Sequence, residues 1–224
     1  MLFLKNTPVS EILSMNEMID AIGATLEEVA VGRGFELPRR RIHHPNRMIF
    51  GVLPGSVHGA MGAYLQTDLD RRIHHETIIL YSAETGEPLI LFQDCSINEG
   101  RTGAAGGLGA KHLARMDAGR AAVIGSAIHA QTQLRALAAV RNLTEVKVYS
   151  PSLANRSAFA EKMSKELGID VRPAAAARDA VEGADVVITA TNSKEPVLDG
   201  AWLAPGTHVT SIANGDKNRI RQEI

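Results

Sequence analysis

Apolar positions along this chain follow two rhythms, with the change falling just after residue 100. Ser14-Met15-Asn16-Glu17 has the spacing of a capping box, and Met15, Met18, Ile19, Ile22, Leu26 and Val29 recur at helical intervals. One amphipathic helix is therefore predicted, ending near Gly32 and Gly34. From Pro38 to about Asn98 the pattern turns to short strand-like runs, such as Met48–Leu53 and Thr77–Tyr81, punctuated by Pro54-Gly55, Gly59 and Gly86-Glu87-Pro88. A sheet rich in antiparallel hairpins follows, with Glu84–Glu87 as one of its turns. Beyond Arg101 the order becomes a small-residue helix over 103–113, a buried strand 120–125 and a helix 130–140. A strand 145–149, a helix 154–167, a strand 170–172, a short helix 175–181 and strands at 185–189 and 207–212 complete the series. Strands alternating with helices imply a parallel sheet with right-handed crossovers. The expected fold class is α/β: a Rossmann-type parallel sheet over 116–224, preceded by an α+β domain over 1–115.

Composition narrows the classes without choosing a function. A chain of 224 residues can bury a sizeable core, and its formal net charge of -1 offers little to nucleic acid. The run Arg39-Arg40-Arg41 is too short to track a phosphate backbone. Cys95, the single cysteine, excludes an internal disulfide framework, fits a reducing compartment and reads as a small core residue. The start Met1–Lys5 is too short an apolar run for a signal peptide, and no stretch of about 18 apolar residues exists to span a bilayer. These features predict a soluble, cytoplasmic protein. Adjacent strand residues point to opposite faces, so the pairs His43-His44 and His74-His75 cannot each chelate one ion, and no metal is expected.

Candidate chemistry is concentrated where the strand 120–125 turns into a helix. Gly125-Ser126-Ala127-Ile128-His129-Ala130 occupies the context of a dinucleotide fingerprint, in which a first glycine permits the turn and the helix N-terminus faces a pyrophosphate. Ala127 and Ala130 stand at the second and third glycine positions, which weakens the motif taken alone. His129, inside the turn, is a candidate pyrophosphate contact. The next strand ends in Tyr149-Ser150-Pro151-Ser152, with Arg156 close behind, and lacks the carboxylate that would hold a ribose 2′-hydroxyl. Ser150, Ser152 and Arg156 therefore favour NADP(H) over NAD(H). At the switch point of the sheet, Thr189, Ala190 and Thr191 supply small residues along the expected cofactor path.

Several separated motifs together resemble the ornithine cyclodeaminase and mu-crystallin family. They are Arg101-Thr102-Gly103-Ala104-Ala105 with the following helix, Gly125–Ala130 with Gln133-Leu134, Val148–Pro151, Ala184–Thr191, Pro196-Val197 and Asn214-Gly215-Asp216. The resemblance implies an N-terminal half for substrate and homodimer formation, a Rossmann half for the cofactor, and hydride transfer at the α-carbon of an amino acid or imine. Such substrates carry a carboxylate, and the resemblance assigns it to Arg101 and Arg40, the planar forks best suited to it. It gives Thr102 to the cofactor and Asp216 to proton transfer at the reacting nitrogen. Two departures stand out. The family lysine falls at Tyr64, and its upstream acid falls near Phe50-Gly51, which makes ornithine itself a doubtful substrate and leaves Tyr64 as a hydrogen-bond donor. Family members are also longer, so the nucleotide unit is expected to be incomplete at Ile224. The alternative is a crystallin-like protein that binds NADP(H) without turnover, or an inactive fragment.

Overall fold

The computed structural model describes residues 1–69 and 73–212, and the chain divides into two compact units, Met1–Gly100 and Arg101–Ile224. Asp216 lies outside the described residues.

The first unit is built on a seven-stranded sheet of β1 (Leu2–Lys5), β2 (Phe35–Glu36), β3 (Arg40–His43), β4 (Met48–Val57), β5 (Ala60–Leu69), β6 (Ile73–Ser82) and β7 (Pro88–Gln93). β1 runs parallel to β7, and the other pairs are antiparallel. Helix α1 (Met15–Ala30) starts where the sequence predicts. Ser14 accepts the Glu17 N–H at 3.3 Å, while the Glu17 carboxylate accepts the Ser14 N–H at 2.8 Å. The β4–β5 turn needs positive φ at both central residues, and His58 (φ 52) and Gly59 (φ 73) supply it.

One sequence expectation is overturned here. Pro54-Gly55 does not end a strand; β4 runs through it to Val57. The Pro54 carbonyl accepts the Leu37 N–H at 3.2 Å, so the donor-less proline nitrogen faces the gap between β2 and β3, where a strand proline loses no ladder bond.

The second unit is a parallel five-stranded sheet in the order β10-β9-β8-β11-β12, from β8 (Arg120–Ile124), β9 (Glu145–Tyr149), β10 (Asp170–Pro173), β11 (Val186–Thr189) and β12 (His208–Ser211). Helices α3 (Ile128–Val140), α4 (Leu153–Leu167) and α5 (Ala177–Val181) connect its strands. Ala122, Val123, Val186, Val187 and Ile188 are fully buried, as the apolar runs of β8 and β11 require of strands covered on both faces, while in β9 the buried Val146 and Val148 alternate with half-buried residues. This is the expected α/β architecture. Helix α2 (Ile97–Leu113) begins before the predicted 103–113, and its small residues let it lie against α3. A Cβ at Gly103 would stand 2.8 Å from the Thr132 carbonyl oxygen, and one at Gly106 would overlap the Gln133 amide.

Two buried charges fix how this unit closes. Arg141 is only 7% exposed, and its guanidinium donates to the carbonyls of Ala110, Lys111, Ala114, Arg115 and Val140 at 2.7–3.0 Å, so it seals the C-terminal end of α2. Asp185 accepts from Arg115 Nη2 at 2.6 Å and from the backbone N–H groups of Gly119 and Arg120 at 3.1 and 2.9 Å. Burial opposes its ionisation, but the two backbone donors and the Arg120 guanidinium outweigh burial and hold its carboxyl below the usual range. A lowered folded-state pKa stabilises the fold above the ordinary carboxylate value, and that contribution is lost as pH falls through the folded value. Asp185→Asn is expected to cost about 2–4 kcal/mol at neutral pH, with the gap to wild type narrowing below about pH 4. Thermal melts across pH check this; a gap independent of pH would contradict it.

Candidate active site

The C-terminal edge of the parallel sheet gathers most of the nucleotide-site candidates. Gly125 takes φ 117 as β8 ends, and its N–H donates to the Tyr149 carbonyl at 2.8 Å. A Cβ there would stand 2.8 Å from the Ala190 carbonyl carbon, closer still to its oxygen. Only glycine fits that turn. The Ala190 N–H donates to the Ile124 carbonyl at 2.8 Å, and with β9 on one side of β8 and β11 on the other the strand order reverses beside Gly125, the topological switch point at which open α/β sheets leave a crevice.

Around this crevice the polar inventory is incomplete in a consistent way. Ala127, the N-cap of α3, provides no side-chain cap, which leaves the first N–H groups of the helix for an anion. Among the described residues, His129 Nδ1 and Thr189 Oγ1 are buried without a hydrogen-bond partner. Ala130, at the third glycine position of the fingerprint, is fully buried in the core of the unit, where a small side chain permits close helix–sheet packing. Thr191 Oγ1 is held by the Ser193 N–H at 3.1 Å. Thr102 lies on α2, and its carbonyl accepts Gln133 Nε2 at 2.7 Å, which ties α2 to α3 close to the fingerprint.

The β9 end is organised by the serines and one arginine. Ser126 Oγ donates to Ser150 Oγ at 3.1 Å, joining the two turns, and Ser152 caps α4 by accepting the Asn155 N–H at 3.2 Å. Arg156 donates Nη1 to the Ser150 carbonyl at 2.7 Å, and its guanidinium lies 5.4 Å from the centre of the Tyr149 ring. The arginine is thus fixed over the strand end, with Nε buried and without a partner among the described residues.

The remaining candidates are not all brought together. Arg101 is exposed in α2, at the start of the second unit. Arg40 and Tyr64 both lie in the first unit's sheet, yet on opposite faces. Arg40 shares a row with Val52 and Leu65, whereas Tyr64 is opposite Leu53 and Ile78, the face to which Arg41 belongs. Sequence reading missed Glu76, a buried residue in β6 whose Oε1 accepts the Ile97 N–H at 2.8 Å. Its signal was a charge placed next to an otherwise apolar strand run. Sequence reading also missed Gln133 as a tie between helices, because an amide's partner is set by packing.

The model of the ornithine cyclodeaminase/mu-crystallin family matches residues 1–224. The chain belongs to this family. Among relatives, a Δ(1)-pyrroline-2-carboxylate reductase of Bacillus cereus is 28% identical over 223 residues, 96% of this chain and 68% of that one. The family fold is seen in the Δ(1)-pyrroline-2-carboxylate reductase of Thermococcus litoralis, in complex with NADH and L-proline. That structure superposes with a TM-score of 0.87 at 32% identity, over 95% of this chain and 69% of that one. An archaeal alanine dehydrogenase dimer with bound NAD gives 0.85 at 29% identity, over 93% and 66%. Relatives from Rhizobium meliloti and Sinorhizobium fredii match over 143 residues, which span 44% and 43% of their own lengths. Membership explains the Arg101-Thr102-Gly103 run ahead of β8, a feature that a parallel α/β unit alone does not require.

Proposed function

We propose that this chain is an NAD(P)-dependent oxidoreductase that interconverts an α-amino acid with its imine, with a cyclic imino carboxylate of the Δ(1)-pyrroline-2-carboxylate class as the leading substrate. The observation that carries the reading is the Gly125 turn, whose missing Cβ, uncapped helix and unpartnered His129 and Thr189 atoms match a dinucleotide laid across the switch point. The relatives named for pyrroline-2-carboxylate reduction and alanine dehydrogenation support the substrate class.

Bound there, the nicotinamide would accept or return the hydride of the α-carbon. The chain's own residues do the rest. Ser126, Ala127 and His129 hold the pyrophosphate through backbone N–H groups, and Thr102, Thr189, Ala190 and Thr191 line the cofactor's path. Arg101, with an arginine of the 39–41 run, binds the substrate carboxylate. Asp216 exchanges the proton of the reacting nitrogen, and Tyr64 donates a hydrogen bond in place of a lysine. The relatives fit a homodimer with a small-molecule substrate. Among the described residues no helix is long and apolar enough to cross a membrane.

Two expected results follow. Arg101→Ala should raise KM for the imino acid by about 30-fold or more, since a charge-assisted fork contributes about 2 kcal/mol, while NAD(P)H affinity stays near wild type. Steady-state kinetics in both substrates would detect the alternative, an unchanged KM, which removes Arg101 from the site. Ser150 and the fixed Arg156 favour NADP(H), because a guanidinium can meet a 2′-phosphate where no carboxylate repels it. Arg156→Ala should weaken NADPH by about tenfold or more and NADH by less than threefold. Equal effects on the two would refute the NADP(H) preference. A second reading, binding without turnover, is favoured by one observation: the lysine position holds Tyr64.

A further inference from the structure

We propose that Glu76 is a substrate-binding residue, its second carboxylate oxygen accepting a hydrogen bond from the protonated nitrogen of the substrate, the ammonium of the amino acid or the iminium of the cyclic imine. This rests on the oxidoreductase reading above and adds to it a residue that the resemblance does not supply.

Glu76 is 5% exposed, and every other polar atom it has is engaged. Its carbonyl accepts the Asp94 N–H at 2.9 Å, its own N–H donates to Asp94 Oδ1 at 2.9 Å, and Oε1 accepts the Ile97 N–H at the start of α2. Oε2 is buried with no partner among the described residues. A buried carboxylate oxygen without a donor is costly, and native structures keep few of them. A role confined to supporting α2 needs only one acceptor, and a glutamine would provide it without the buried charge.

Three further features bear on the role of this carboxylate. The β5–β6 register sets Glu76 opposite Gln66 and diagonal to Tyr64, on one face of the sheet and within reach of long side chains. The helix that Glu76 holds carries Arg101 and Thr102 one turn further on. The connection from β7 into that helix contains two non-glycine residues of positive φ, Asp94 (φ 52) and Ser96 (φ 54), each adjacent to the buried Cys95. Backbone held in that region is kept where the surroundings over-determine it, commonly at binding sites. A carboxylate aimed at the substrate nitrogen complements arginines aimed at the substrate carboxylate, so the two ends of an amino acid are told apart by charge.

The experiment compares wild type with Glu76→Gln and Glu76→Ala, measuring melting temperature, NAD(P)H affinity and kinetics of L-proline oxidation and Δ(1)-pyrroline-2-carboxylate reduction. Calorimetric binding of L-proline with NAD(P)⁺ present gives a readout independent of turnover. Glu76→Gln retains the acceptor for Ile97 and replaces the unpartnered oxygen with a donor. The expected result is a KM or Kd for L-proline raised by 30-fold or more, with kcat changed much less and with melting and NAD(P)H affinity near wild type. Glu76→Ala should lose both amino-acid binding and stability. If Glu76→Gln keeps KM and Kd within threefold of wild type, Glu76 only supports α2 and the proposal fails while the oxidoreductase reading stands. If wild type neither binds nor turns over any α-amino or imino acid tested, both fail.

Discussion

Gly125→Ala is expected to remove dinucleotide binding, lowering affinity for NADPH and NADH by more than 100-fold. A methyl group at φ 117 would press into the Ala190 carbonyl, and that carbonyl cannot retreat because the Ala190 N–H is bonded to Ile124 in the ladder of β8 and β11. Relief must come from the turn itself, which shifts the first N–H groups of α3 off the pyrophosphate. Strain of this kind costs about 1–3 kcal/mol, so the variant should still fold at room temperature, with its loss of affinity far larger than its loss of stability. Fluorescence titration with each dinucleotide, alongside a thermal melt, makes the comparison. An affinity within threefold of wild type would mean that the turn does not cradle the phosphates.

The second large effect is structural. Arg141→Met should cost about 3–5 kcal/mol, because five carbonyl acceptors lose one buried donor group at once, those of Ala110 and Ala114 in buried bonds. Among the described residues the guanidinium has no carboxylate opposite it; the partial negative charge at the end of α2 is its counter-charge. Its positive field is felt nearby: burial, and then the charge of Arg141, lower the pKa of His208. In a chain of this length the melting temperature should fall by roughly 10 °C. Arg141→Lys should recover less than half of that, since one ammonium cannot match the spread of a planar fork. A fall below about 2 °C for Arg141→Met would show that the C-terminal end of α2 is held by other contacts.

Much of the second unit was legible because its signals are local and redundant. The runs 121–124 and 186–188 are apolar, the turn after the first of them begins at Gly125, and Gly168 ends α4 in the left-handed conformation typical of helix C-termini. The first unit was readable in type but not in detail. Pro54-Gly55 reads as a break, and only the gap between β2 and β3 lets the strand pass through it. Face assignment had the same weakness: among three consecutive arginines, sequence could not say which shares a face with Tyr64, and strand register places Arg41 there rather than Arg40. Glu76, Asp185 and Arg141 escaped notice because a buried charge is recognised by partners distant in sequence: 21 residues away for Glu76 and Ile97, 70 for Arg115 and Asp185.

The most direct test of the account is to mix the purified protein with Δ(1)-pyrroline-2-carboxylate and NADPH or NADH, and follow oxidation of the reduced nicotinamide together with formation of L-proline. The two are expected to proceed in equal amounts, and Gly125→Ala and Arg101→Ala to slow both. Tight binding of the dinucleotide with no oxidation by this or any other α-imino acid, in protein that melts cooperatively, would contradict it and leave a binding protein without turnover.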